Sequence, residues 1–163
     1  MPGILIEIAN ETSAAVDSAL IHHAVSVVLK PAKLAEATIS VAVVDNHQMW
    51  ELNRKYLDHD YPTDVLSFRL SDDDLPLEGD VIVNHEMAAE KARQLGDAQW
   101  TTQHELVLYV VHGTLHLVGY DDTNQQQREE MQRQERAALQ RLGILRETAF
   151  AGRVATRKGE NSS

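Results

Sequence analysis

The sequence predicts an α/β (α+β) fold: one domain with a mixed, roughly four-stranded sheet packed by about five helices. Three observations predict it. Four short segments carry the alternation or the β-branched run of a strand. Five longer segments carry helical spacing with recognisable caps and stops. The length of 163 residues with 43% hydrophobic content fits one core large enough to stand without staples. No internal repeat, low-complexity block or linker divides the chain, so residues 1–145 read as a single domain. The last residues, "RVATRKGENSS", are basic, polar and without periodicity, and residues 146–163 are expected to be a flexible tail.

The elements follow in order. "ILIEIA" (Ile4 to Ala9) alternates like a short strand. Thr12 or Ser13 can cap a helix that carries Val16, Leu20, His23, Val27 and Val28 near one face and ends before Pro31. "ATISVAVV" (Ala37 to Val44) is a β-branched, alternating strand. Asp45 and Asn46 can cap a helix from His47 to about Leu57. "DVLSFRL" (Asp64 to Leu70) reads as a strand after the turn at Pro62. "SDDDLPLEGD" is an acidic loop, and "DVIVN" (Asp80 to Asn84) is a short strand. "HEMAAEKARQLG" is a helix that Gly96 stops. A further helix begins at Thr101 or Thr102, turns Leu108, Val111, Leu115 and Val118 towards the core, and stops at Gly119. "TNQQQREEMQRQERAALQRLG" is a charged helix ending at Gly143.

Composition removes several function classes. The chain has no cysteine, which excludes disulfides, thiolate zinc sites, iron–sulfur clusters and cysteine nucleophiles. The N-terminus has no basic n-region and does not read as a signal peptide. The longest apolar run, Leu106 to Val111, is too short to span a bilayer. A soluble cytoplasmic protein with no membrane partner is expected. The formal net charge of −10 argues against a bulk DNA-coating protein, and no DNA partner is expected. It leaves room for an enzyme that grips nucleic acid through a local patch.

The chemistry concentrates in "VVHGTLHLVGYDD", Val110 to Asp122. On a helix His112 and His116 lie one turn apart on one side, about 6 Å along the axis. Two imidazoles so placed can bind one divalent cation, and a tetrahedral site needs a third protein ligand with its fourth position open. Gly119 ends the helix, since glycine enters the left-handed turn at little cost. The chain can then reverse and bring Asp122 back towards the histidines. Asp121 is a second candidate ligand of lower rank. Asp122 has a competing role, because it, or Thr123 with Gln126, could cap the last helix. His85 and His104 each begin an H-E dipeptide but lack a second histidine, and both read as ordinary helix residues.

With these residues in hand, "HGTLHLVGYD" resembles the H-G-x-L-H-L-x-G-Y-D-H signature of the YbeY family of rRNA maturation factors and endoribonucleases. "LNRKYLDHDYPTDVLSF" (Leu52 to Phe68) and "EGDVIVN" (Glu78 to Asn84) are similar to two further blocks of that family, in the same order. The resemblance covers roughly residues 37 to 142. It implies a single YbeY-like, metal-dependent hydrolase domain over 1–145, built around a metal-binding helix of metzincin-like spacing. The implied metal ligands fall on His112, His116 and position 122. The third ligand is histidine in most members and Asp122 here, the chief departure. Aspartate can ligate zinc, lowers the charge of the site, weakens the metal as a Lewis acid, and favours harder cations. The implied cofactor is one Zn2+ per chain, with another divalent cation possible because of Asp122. A second departure is Leu57, where many members carry arginine. Arg54, Lys55 or Arg69 are the candidates to supply positive charge to a substrate.

The resemblance implies a metal-dependent, single-strand-specific endoribonuclease. It would act in rRNA processing, at the 3′ end of the small-subunit rRNA, and in ribosome quality control. Its partners would be rRNA precursor and the ribosomal small subunit. A protease of the H-E-x-x-H kind is not expected, since Gly113 stands where that motif keeps its general base. The nucleophile stays open between the RNA's own 2′-hydroxyl and a metal-bound water. Asp64 and Ser67, polar within an apolar strand, are the catalytic candidates, or else satisfy backbone groups at the strand start. Two alternatives stand beside this reading. One is a metal-dependent hydrolase of another substrate, a peptide or small ester. The other is a ribosome-binding assembly factor whose metal is structural. The sequence leaves the oligomeric state, the metal and the cut site open.

Overall fold

A computed structural model describes residues 3–145; the tail expected over 146–163 lies outside the described residues. Among these are four strands and five α-helices. Strand β1 is Ile4–Asn10 and helix α1 is Ser18–Leu29, followed by a 3-10 turn at Lys30–Ala32. Then come β2 (Ala37–Val44), α2 (Asn46–Leu57), β3 (Val65–Arg69), β4 (Leu77–Asn84), α3 (His85–Leu95), α4 (Thr102–Leu117) and α5 (Gln125–Leu142). The sheet order is β1-β2-β4-β3. β1 pairs parallel with β2, β2 parallel with β4, and β3 antiparallel with β4. The α/β class with a mixed four-stranded sheet is therefore the observed one.

The two faces of the sheet are covered differently, as the period-2 alternation of strands requires. Ile39, Val41 and Val43 of β2, Val81 and Val83 of β4 and Val65 of β3 join one core with α1, α4 and α5. On the other face Val44 and Leu66 meet Met49 of α2, with Leu52, Leu57, Phe68 and Ile82 around them. Leu57 is thus a packing residue of this smaller cluster. Helix α4 lies at the centre of the larger core and is buried from Glu105 to Leu115 without a break. The core face expected for it at Leu108, Val111 and Leu115 is buried, while Val118 is only partly so. A helix enclosed on all sides needs no polar stripe, and any polar side chain left on it must find a partner.

Some boundaries differ from expectation. Helix α1 starts at Ser18, with Asp17 as its N-cap accepting from the Leu20 amide. Thr12 is spent elsewhere: its amide and hydroxyl both donate to Asn10 Oδ1, at 3.0 and 2.6 Å, and its hydroxyl accepts from the Ala14 amide. Val16 therefore precedes the helix, and His23 is exposed. β4 begins at Leu77, inside the stretch expected as acidic loop, because Leu77, Glu78 and Gly79 pair with Ala37, Thr38 and Ile39 of β2. Asp64 lies just before β3. The caps at Asp45 and Thr101 and the stops at Gly96 and Gly143 stand where the sequence places them.

Candidate metal centre

Helix α4 carries both histidines, and its C-terminus turns the third residue back to them. The Tyr120 amide donates to the Leu115 carbonyl at 3.0 Å and the Gly119 amide to the His116 carbonyl at 3.1 Å, the pair of bonds that closes a Schellman turn. Gly119 sits at φ +110°, a conformation that a side chain would strain. Three residues later Asp122 is buried beside the rings. It does not cap α5. That role falls to Asn124, which accepts from the Gln127 amide at 2.8 Å, while the Thr123 amide and hydroxyl donate to Gln127 Oε1. The expected competition for Asp122 is resolved in favour of the histidines.

The ligand atoms converge. His112 Nε2 lies 3.1 Å from His116 Nε2 and 3.4 Å from Asp122 Oδ2, and His116 Nε2 lies 3.6 Å from the same oxygen. In a tetrahedral site with bonds of about 2.0–2.1 Å, ligand atoms stand about 3.3 Å apart. The three edges match that spacing, and one point can be reached by all three atoms at such a bond length. Among the described residues His112, His116 and Asp122 could hold a metal ion. Asp121 stays outside: its Oδ1 is 3.8 Å from His116 Nδ1, on the far side of that ring, and its side chain is 63% exposed.

A fourth residue, not anticipated from the sequence, completes the surroundings. Glu135 of α5 places Oε2 at 2.6 Å from His112 Nδ1, with both side chains 0% exposed. With the ring proton on Nδ1, that nitrogen donates to the carboxylate and Nε2 presents its lone pair. A signal for it was available. Glu135 stands in the apolar stripe of α5, four residues after Met131 and three and four before Ala138 and Leu139, all buried. An acid at a core position of a helix is costly without a partner. Metal binding takes imidazole in its neutral form and carboxylate ionised; so counted, the four groups carry a formal charge of −2, which one divalent cation would balance.

Gly113 and Ser67 explain how this helix is seated. A Cβ built at Gly113 would lie 2.7 Å from Val81 Cγ1, 2.9 Å from Ser67 Oγ and 3.0 Å from Val65 Cγ2. The helix therefore touches β3 and β4 with its backbone at this point, and a glutamate there has no room. The Ser67 hydroxyl donates to the Gly113 carbonyl at 2.9 Å. The Asp64 carbonyl accepts from the Asn84 amide at 2.9 Å.

The candidate cations are dispersed. Arg54 and Lys55 lie on α2, which packs on the face of the sheet opposite α4. The Arg54 guanidinium sits 4.6 Å over the Trp50 ring and the Lys55 ammonium 5.2 Å from that of Tyr56. Arg69 ends β3, and its Nε donates to the Ser71 carbonyl at 3.1 Å. His104 is occupied in a capping box, its Nδ1 accepting from the Thr101 amide. His85 opens α3.

Residues 6–143 match the family described as Endoribonuclease YbeY. A protein of that name from Desulfitobacterium hafniense is 42% identical over 125 residues, 71% of this chain and 78% of the relative. One from Carboxydothermus hydrogenoformans is 40% identical over 128 residues, 78% of this chain and 87% of the relative. One from Rhodopirellula baltica is 40% identical over 107 residues, and the chain spans only 55% of its length. A solution structure of a Thermotoga maritima protein superposes with a TM-score of 0.59 at 26% identity, covering 98% of this chain and 97% of that one.

Proposed function

Because the chain belongs to the Endoribonuclease YbeY family, we propose that it is a metal-dependent, single-strand-specific endoribonuclease acting in rRNA processing. The observation that carries this reading is the triangle of His112 Nε2, His116 Nε2 and Asp122 Oδ2 in a chain matched to that family over most of its length. In this reading the three residues hold one divalent cation, Zn2+ in the first instance. When bound, such an ion neutralises a phosphate and acts as a Lewis acid. The substrate is the 3′ region of small-subunit rRNA precursor. The ribosomal small subunit is the partner, ribosome quality control the wider role, and the cytoplasm the setting. Among the described residues no helix is long and apolar enough to cross a membrane.

The chain's own residues set what the site does. Gly113 keeps a carboxylate base off the helix, which argues against peptide hydrolysis of the H-E-x-x-H kind. Ser67 and Asp64 are the candidates to handle a proton near the cation, Ser67 from the strand that touches the metal helix. Arg54, Lys55 and Arg69 are the candidates to contact the RNA backbone, where each phosphate contact would show as a change in salt dependence.

Elemental analysis of purified protein, together with cleavage of a single-stranded RNA before and after chelation, tests the proposal. The wild type should carry about one metal ion per chain and lose cleavage on chelation. Asp122→Ala should lose most of both, and Asp122→His should keep the metal. Equal metal content in all three proteins would remove Asp122 from the site. Cleavage that survives both chelation and Asp122→Ala would overturn the metal-dependent reading.

A further inference from the structure

The two histidines of the centre are not equivalent. The Nδ1 of His112 meets a fully buried carboxylate at 2.6 Å, from a helix 23 residues further along the chain. The Nδ1 of His116 faces Asp121, at 3.8 Å and with that carboxylate 63% exposed. An imidazole on a helix can present either nitrogen, according to its tautomer and the rotation of its ring. The choice is set by what the other nitrogen bonds. Here the Nε2 atoms of both rings face Asp122 Oδ2, so a His112 ring turned the other way would present Nδ1 there instead.

Resting on the metal-centre reading above, we propose that Glu135 is a positioning residue: it locks His112 in the Nδ1–H form and in the one orientation that completes the site. Its place in the fold supports this. A core helix position between Met131 and Leu139, both buried, would be filled at least cost by an aliphatic side chain. A carboxylate there burdens packing and serves only what it touches. His112 is then the anchored ligand and His116 the one free to adjust.

The test uses the full chain, with zinc alone as probe, titrated in competition with a chromophoric chelator. Three proteins are compared: wild type, Glu135→Gln and Glu135→Leu. Glutamine keeps the volume and can still accept from Nδ1 but lacks the charge; leucine lacks both. Outer-shell partners of metal-bound histidines typically govern affinity by about 10–100-fold. Glu135→Gln should therefore bind zinc more weakly within that range, and Glu135→Leu more weakly still. Nitrogen-15 NMR of the His112 ring should show one tautomer, protonated at Nδ1, in the wild type and a mixture in Glu135→Leu. Far-UV circular dichroism and metal-free melting confirm that each variant is folded, and if the leucine variant is not, the glutamine variant decides. A lower melting temperature with unchanged zinc affinity and tautomer would mean a merely structural role and overturn the proposal. Failure of the wild type itself to bind zinc would instead sink the metal reading on which it rests.

Discussion

Gly113→Ala measures how tightly α4 is seated on the sheet. In an ordinary helix interior this change is favourable by about 1 kcal/mol. Here the new methyl would lie 2.7 Å from Val81 Cγ1 and 3.0 Å from Val65 Cγ2. Both valines are β-branched with a stiff χ1 and sit on paired strands, so neither can swing aside cheaply. The third neighbour, Ser67 Oγ at 2.9 Å, is the group that bonds the Gly113 carbonyl. Overpacking costs about 1–3 kcal/mol, and weakening that hydrogen bond removes about 1 kcal/mol more. Set against the propensity gain, the net is a loss of about 1–3 kcal/mol. For a chain of this size that lowers Tm by roughly 2–12 °C. Thermal melting by far-UV circular dichroism, with and without zinc, is the assay. Ser67→Ala is the partner variant: combined with Gly113→Ala it should cost less than the sum of the two, because the serine is one of the groups in the way. A Gly113→Ala protein that melts at or above the wild type would show that the helix is not held by backbone contact there. The explanation of why no glutamate stands at this position would fall with it.

Three other outcomes are expected. Zinc at a hundred times its Kd should stabilise the folded chain by about 2.7 kcal/mol, read as a concentration-dependent rise in Tm that Asp122→Ala abolishes; a Tm indifferent to zinc would count against the site. Asn84→Ala should destabilise by about 1–3 kcal/mol in denaturant unfolding. Asn84 is buried, caps α3 at the Met87 amide, and donates to Asn46 Oδ1 at 2.7 Å and to the Thr63 carbonyl at 3.2 Å; a change under a few tenths of a kcal/mol would refute that role. Burial first, and Glu78 nearby second, raise the Asp80 carboxyl above its ordinary value. The folded state therefore binds this proton more tightly than the unfolded one, and stability falls as pH rises through the window between the two values. Asp80→Asn should accordingly melt higher than wild type at neutral pH, with the difference closing below the ordinary aspartate range; a gap that widens on acidification would contradict the sign.

What was legible in the sequence was local. The caps at Asp45 and Thr101 and the glycine stops act between residues three to five apart, and all stand in the fold. The start of α1 was missed because a second local motif, Asn10 with Thr12 and Ala14, used the capping groups first. The start of β4 was missed because Glu78 and Gly79 are poor strand formers by propensity, and pairing with Thr38 and Ile39 overrode it.

The same division runs through the site. The sequence by itself determined that His112 and His116 share a side of one helix and that Gly119 turns the chain, bringing Asp122 within reach. Helical periodicity and the left-handed glycine turn are properties of neighbouring residues and need no tertiary context. Only the tertiary structure decided that Asp122 faces the rings while Asn124 caps α5, that Glu135 holds His112, and that β3 and β4 leave no room for a side chain at Gly113. The contacts that decide the last two join residues 23 and 46 positions apart. No local rule specifies such pairs, because they exist only once the sheet and α5 have closed around α4.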